Sequence, residues 1–172
     1  DGSNWTTIPL SRENPTIARA LGTAQNGIIY VGGLNEFGFI EPDSSGKRVY
    51  VSLSDHISSA RNLTSLSMSD SAKARYTEPS GLNIGEIKSL VIRGSKVYFL
   101  SAGTLITYNT LNDSLTYISL RDLGYRQFER MYLINDKIIL ASNSFGIFEL
   151  KDDIVTQMPG CKFFKLKICL SV

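Results

Sequence analysis

A unit of short apolar runs separated by tight turns recurs along this chain, and the recurrence limits what it can fold into. The best instance spans 26–53, NGIIYVGGLNEFGFIEPDSSGKRVYVSL. Asn26-Gly27 opens it, the dipeptide type that best tolerates positive φ at both centres of a type I′ hairpin turn. Ile28, Ile29, Tyr30 and Val31 follow as a β-branched and aromatic run closed by Gly32-Gly33. Phe37, Gly38, Phe39 and Ile40 form a second run, and 42–46 (PDSSG) supplies a second turn. Residues 48–53 then alternate, with Val49, Val51 and Leu53 on one side. Three short strands joined by two tight turns predict an antiparallel meander.

The unit returns twice. After Gly94-Ser95 come 96–100, 105–108, a polar turn at 109–114, and 115–120; after Asn135-Asp136 come 137–141, 145–150, a turn at 151–153, and 154–158. VSLSD at 51–55 reappears as ISLRD at 118–122, and FGFIE at 37–41 has an echo in FGIFE at 145–149. One more apolar run precedes each hairpin turn, at 17–24, 87–92 and 128–134. Each unit is therefore four strands in about 40 residues, the size of a β-propeller blade. The reading is an all-β chain forming one partial β-propeller domain, with blades at roughly 17–55, 87–122 and 128–158. Asn26 to Gly94 spans 68 positions and Gly94 to Asn135 only 41, so about 27 residues are inserted between the first two blades.

Composition agrees. At 172 residues, with 42% hydrophobic and 10% aromatic content and 14 Gly against 5 Pro, the chain suits one domain of many short strands. A net charge of +2, from 18 basic and 16 acidic residues, argues against a nucleic-acid partner. No run of 18 apolar residues exists to span a membrane. The chain opens at Asp1-Gly2-Ser3 without methionine or signal peptide, which reads as a cloned or processed end and removes the clue to compartment.

The flanks and the insertion differ from the repeats. Residues 4–10 read as a lone strand whose end, Ile8-Pro9-Leu10-Ser11, resembles the closing strand of a unit. Residues 11–16 form a polar connector, with Pro15 holding Asn14 extended. The insertion, 57–86, is Ser-rich and compatible with a short helix over 69–76 capped by Ser69 or Asp70. It reads either as a surface loop or as a binding loop. At the far end, Phe164, Leu166, Ile168 and Leu170 alternate with Lys165, Lys167 and Cys169, the opening strand of a further blade within 161–172. Three blades with a strand at each end cannot close a ring. An open arc would expose strand edges and an apolar face, so the expectation is a fragment of a longer propeller or a homo-oligomer.

Little in the sequence points to catalysis. His56 stands alone past a strand end, with no nucleophile elbow to partner it. Cys161 and Cys169 make no metal-ligand pattern with it. As they would sit near the two ends of one strand, they read as buried thiols rather than a disulfide. No phosphate-binding glycine motif leads from strand to helix; Gly32-Gly33 reads as a turn or bulge. The acidic loops at 43–46 and 151–153 lack a calcium-loop pattern. Triplets at Asn4, Asn62 and Asn112 match the glycosylation signal at the level chance supplies. No catalytic residue, metal or cofactor is assigned.

The segment IYVGGLNEFGFIEPDSSGKRVYVSLSD resembles a blade of the two-component-regulator propellers. These form the extracytoplasmic sensor half of hybrid histidine-kinase regulators in carbohydrate-foraging gut bacteria. The VGGLNEFGFIEPD string carries the resemblance; the other two units match as generic blades. The resemblance implies a periplasmic, non-enzymatic sensor that binds an oligosaccharide, tied to a membrane only through parts of a parent protein. The kinase, receiver and DNA-binding segments of such regulators are absent here, and the Ser-rich insertion and Lys/Cys-containing end depart from the pattern. Asn35 and Glu36, between two strands of the best-matching blade, are the first polar candidates for a ligand-facing edge. Tyr125 and Arg126 come second, because an aromatic beside a guanidinium can hold a sugar ring and its hydroxyls. All four also suit turn or inter-blade packing. The competing class is a protein–protein interaction scaffold without a small ligand. An enzyme would need carboxylates converging at one mouth, and Glu36, Glu41 and Glu149 do not visibly do so.

Overall fold

In a computed structural model, which describes residues 7–10, 16–77 and 82–161, the chain is all-β and arranged in three sheets. The first has the order β1 (Ala20–Thr23), β2 (Ile29–Gly32), β3 (Phe37–Pro42), β4 (Arg48–Ser52). The insertion contributes β5 (Arg61–Asn62). The second sheet is β6 (Ile87–Arg93), β7 (Lys96–Ser101), β8 (Thr104–Asn109) and β9 (Ser114–Ser119), with β5 added parallel to the outer edge of β9. The third is β10 (Phe128–Ile134), β11 (Lys137–Ser142), β12 (Gly146–Lys151) and β13 (Ile154–Gln157). All other pairings are antiparallel between chain neighbours, so each expected four-strand run forms where the alternation placed it. None of the sheets closes on itself.

The first strands organise the packing. β6 lies against β1 on one side and β10 on the other. Between the first two sheets, Phe37 and Phe99 meet with ring centroids 4.9 Å apart and Phe39 stacks on Tyr108 at 6.3 Å. Between the second and third, Phe128 and Phe148 of the third sheet, edge to face at 5.3 Å, share a core with Ile138 and Leu140 of the same sheet and Leu100 and Leu105 of the second, all fully buried. Polar links cross the same seam. Lys88 Nζ donates to both carboxylate oxygens of Glu129 at 2.7 Å, and the Met131 N–H donates to Ser89 Oγ at 3.0 Å.

Gly32 shows why a small residue is needed here. A Cβ at that position would lie 2.3 Å from Cγ2 of Ile87. The turn-or-bulge reading therefore holds for its neighbour, whose N–H donates to the Glu36 carbonyl at 2.7 Å, while Gly32 itself admits the next sheet.

The hairpin turns depart from expectation at one place. Type I′ geometry requires positive φ at both centres, and it falls on Asn135-Asp136 (48° and 60°) and Asp152-Asp153 (51° and 60°). At Asn26-Gly27 only Gly27 is left-handed, with φ 83°. The Gly27 N–H donates to the Ala24 carbonyl and the Ala24 N–H to the Ile28 carbonyl, which makes a three-residue loop with glycine at the bulge. Asn26 turns its Oδ1 to accept from the Ile28 N–H at 3.2 Å, so its side chain stabilises a right-handed turn instead.

The insertion is built into the fold. Two 3-10 turns, Ser54–Ser59 and Thr64–Ser67, flank β5, and one helical turn, α1 (Asp70–Lys73), follows Ser69 as N-cap residue. Leu63 is buried in the core, and fully buried Thr64 accepts from the Ser119 N–H at 2.8 Å. Ser67 Oγ accepts from the Val155 N–H of β13 at 2.9 Å, linking the insertion to the third sheet. Of the flanking calls, 7–10 form no strand and 4–6 lie outside the described residues, as does the strand expected over 164–170 with Cys169. Cys161 is a half-buried free thiol.

Candidate functional site

Every sheet runs as a meander, so tight turns collect at one end of the strands. The β2–β3, β7–β8 and β11–β12 loops and the connections between sheets gather at the other. Contacts confirm the grouping: Leu34 bridges to Glu86 at the start of β6, and the Phe128 N–H reaches the Ala102 carbonyl of the β7–β8 loop at 3.4 Å. All four residues singled out from sequence lie at this loop end.

Asn35 adopts a left-handed conformation, φ 53°, which asparagine tolerates better than most residues. Its N–H donates to the Gly85 carbonyl and its Oδ1 accepts from the Gly85 N–H, both at 2.8 Å. The side chain thus pins the end of the insertion to the first sheet. Glu36 is half-buried and points across β3. Its Oε1 accepts from the Tyr50 hydroxyl at 2.8 Å and from Ser52 Oγ at 2.7 Å. The Tyr50 ring lies over Gly38, where a Cβ would be 2.7 Å from the hydroxyl oxygen. Burial first, and then the carboxylate it donates to, hold the Tyr50 hydroxyl far above the usual phenol range.

Tyr125 stands edge-on to Phe148 at 4.6 Å and to Phe145 at 5.8 Å, half-buried against the core. Arg126 is exposed, and its carbonyl accepts from Ser142 Oγ at 2.8 Å. Asn35 and Glu36 share one loop, Tyr125 and Arg126 another, and among the described residues no hydrogen bond or ion pair joins the two pairs.

A groove of about 410 Å3 opens at the same end, between α1 and the β9–β10 connection, lined by Met68, Ser71, Ala72, Arg75, Tyr76 and Asp122. Asn62 Nδ2 donates to the Tyr76 hydroxyl at 2.9 Å, which donates on to Asp122 Oδ2 at 3.2 Å. Reading by sequence passed over these residues because Asp122 is 46 positions from Tyr76. The available signal was Arg75-Tyr76, the same pairing of aromatic and guanidinium as Tyr125-Arg126. At the opposite end a cleft between the second and third sheets holds Tyr98 among charges already paired, Arg93 with Asp136 at 3.1 Å and Lys96 with Asp153 at 3.5 Å.

The three glutamates considered for catalysis go separate ways. Glu36 is bound to Tyr50 and Ser52, Glu149 pairs with Lys137 at 3.4 Å, and Glu41 lies on β3 toward the turn end. His56 is exposed in a 3-10 turn. Among the described residues no group of three or more His, Cys, Asp or Glu could hold a metal, and no helix is long and apolar enough to cross a membrane.

The fold defines a class: successive antiparallel four-stranded sheets that share neighbouring first strands. The extracellular domain of the putative one-component system BT4673 from B. thetaiotaomicron superposes with a TM-score of 0.52 at 13% identity, over 86% of this chain and 17% of that one. A second structure, described as the extracellular domain of the putative hybrid two-component system of the same name, gives 0.37 at 12% identity over 85% and 21%. The chain thus spans about a fifth or less of those domains, and the likeness to the first is one of fold. No protein-family model matches the chain, and no curated protein does.

Proposed function

We propose that this chain is a run of β-propeller blades from the non-enzymatic sensor region of a two-component regulator, placed outside the cytoplasm, with an oligosaccharide as its ligand. The observation that carries the reading is the contact of β6 with both β1 and β10, since blades set around an axis bring their first strands side by side. The fold likeness to an extracellular domain of a putative one-component system supports it, as does the VGGLNEFGFIEPD string. On this reading the loop end faces the ligand, and Asn35, Glu36, Tyr125 and Arg126 belong to that end. A thermal-shift screen against neutral and acidic oligosaccharides tests it. Stabilisation by one glycan class is the expected result, and a flat response to all of them counts against it.

The arc also needs cover. Leu21 occupies in β1 the place that Leu90 has in β6 and Met131 in β10, by register with Val31, Phe99 and Leu140 respectively. Leu90 and Met131 pack into the preceding sheet, whereas Leu21 is 66% exposed. At the other face Tyr132 and Ile134 are 43% and 52% exposed. Further blades, or a second copy, are the occupants these faces suit. The same apolar surface favours the second reading, a protein–protein scaffold, for which tight partner binding without any glycan response would be the signature.

A further inference from the structure

We propose that the groove between α1 and the β9–β10 connection seats one ring of a neutral, hydroxyl-rich ligand, a saccharide unit; this rests on the sensor reading above and gives it a location. The groove is built from two separate connections, α1 leading from the first sheet to the second and Asp122 leading from the second to the third. Its volume, about 410 Å3, falls within the roughly 300–1,000 Å3 of small-molecule sites.

Three features select the ligand. Tyr76 is half-buried and held in place from behind, because its hydroxyl accepts from Asn62 Nδ2 at 2.9 Å while donating to Asp122 Oδ2 at 3.2 Å. That bond orients the Asp122 carboxylate and leaves Oδ1 without a hydrogen-bond partner among the described residues, ready to accept from hydroxyls. Met68, Ala72 and the Tyr76 ring supply an apolar wall, which suits the C–H face of a sugar. Arg75 makes no ion pair among the described residues and adds a fan of donors. One carboxylate and one guanidinium balance, so an anionic ligand meets Asp122 and a cationic one meets Arg75. A neutral polyol meets neither as an adversary. Occupancy would tie the insertion to the β9–β10 connection, and so bias how the second and third sheets are held together.

The test is titration of the 15N-labelled chain with cellotetraose, maltotetraose, xylotetraose and mannotetraose, reading amide shifts, repeated with Asp122→Asn and Arg75→Gln. Support is binding of at least one tetrasaccharide with the largest shifts at Tyr76 and Asp122, weakened tenfold or more by either substitution. Arg75 is exposed, so R75Q remains informative should D122N fold poorly. Binding that shifts other amides and ignores both substitutions overturns this site while leaving the sensor reading standing. No binding of any of the four overturns the site, and a flat response across the wider thermal-shift panel then counts against the sensor reading as well.

Discussion

At the scale of single residues, three of the four side chains that look functional from sequence are engaged in structure, Asn35 and Glu36 by hydrogen bonds and Tyr125 by ring packing. The Glu36 carboxylate takes two hydroxyl hydrogen bonds, so Tyr50→Phe should cost about 1.5–3 kcal/mol, the range for a bond to a charged acceptor. Urea denaturation at pH 7 checks this. The same tyrosine carries a pH signature. Its hydroxyl in the folded state is held above the ordinary value near 10 by burial and by Glu36, and burial pushes Tyr30, Tyr98 and Tyr108 the same way. A raised folded pKa means the folded chain keeps a proton that the unfolded chain releases. The stabilisation is therefore complete below about pH 10 and declines as pH climbs above it. Melting temperature should fall steeply between about pH 10 and 11, and less so in Tyr50→Phe; equal slopes in the two proteins would contradict the assignment. At Gly32 the constraint is steric. Ile87 occupies the space a Cβ would need, and Gly32→Ala should cost about 1–3 kcal/mol, as overpacking does, measurable as a lower denaturation midpoint with an unchanged slope.

At the scale of elements, the insertion behaves as a clamp on exposed edges. β9 would be the outer edge of the second sheet, and β5 covers it while Thr64 satisfies the buried N–H of Ser119. Thr64→Val keeps the shape but removes that acceptor, and an unsatisfied buried donor costs about 1–3 kcal/mol. Hydrogen exchange should quicken most at Ser119, and uniform quickening across the molecule would argue against a local role. Ser-richness leaves surface loop and binding loop both open because a polar composition lacks the period-two pattern of a strand. What composition conceals is that Thr64 and Ser67 serve as hydrogen-bond acceptors for strand backbones 55 and 88 positions away.

At the scale of the whole molecule, the two outer faces decide behaviour in solution. Leu21 is the counterpart of half-buried Leu90 and buried Met131, yet it is itself 66% exposed. Sedimentation should therefore find the isolated chain self-associating in the micromolar range, with Leu21→Asp shifting it toward monomer. A stable wild-type monomer would remove the case for an open arc. How far the fold was visible beforehand differs by feature. Local alternation bounded by Gly, Asn, Asp or Ser places the ends of the twelve meander strands to within three residues. The apolar run puts the start of the first at Ile17, but it lies at Ala20, because Ile17 is apolar yet 70% exposed and unpaired in the sheet. The loop-end location of Asn35, Glu36, Tyr125 and Arg126 follows from the same strand count. Their hydrogen bonds do not, nor does the groove at Tyr76 and Asp122.

By itself, the sequence determined the strands, their order and their antiparallel pairing, because side-chain alternation and turn chemistry act over a few residues. Only the tertiary structure decided which glycine admits a neighbouring sheet, that Asn26-Gly27 forms a three-residue loop, and that a Ser-rich connection becomes an edge strand with a groove beside it. Those outcomes depend on steric fit and hydrogen bonding between segments far apart in the chain, and nothing in a local pattern encodes which distant atoms will arrive.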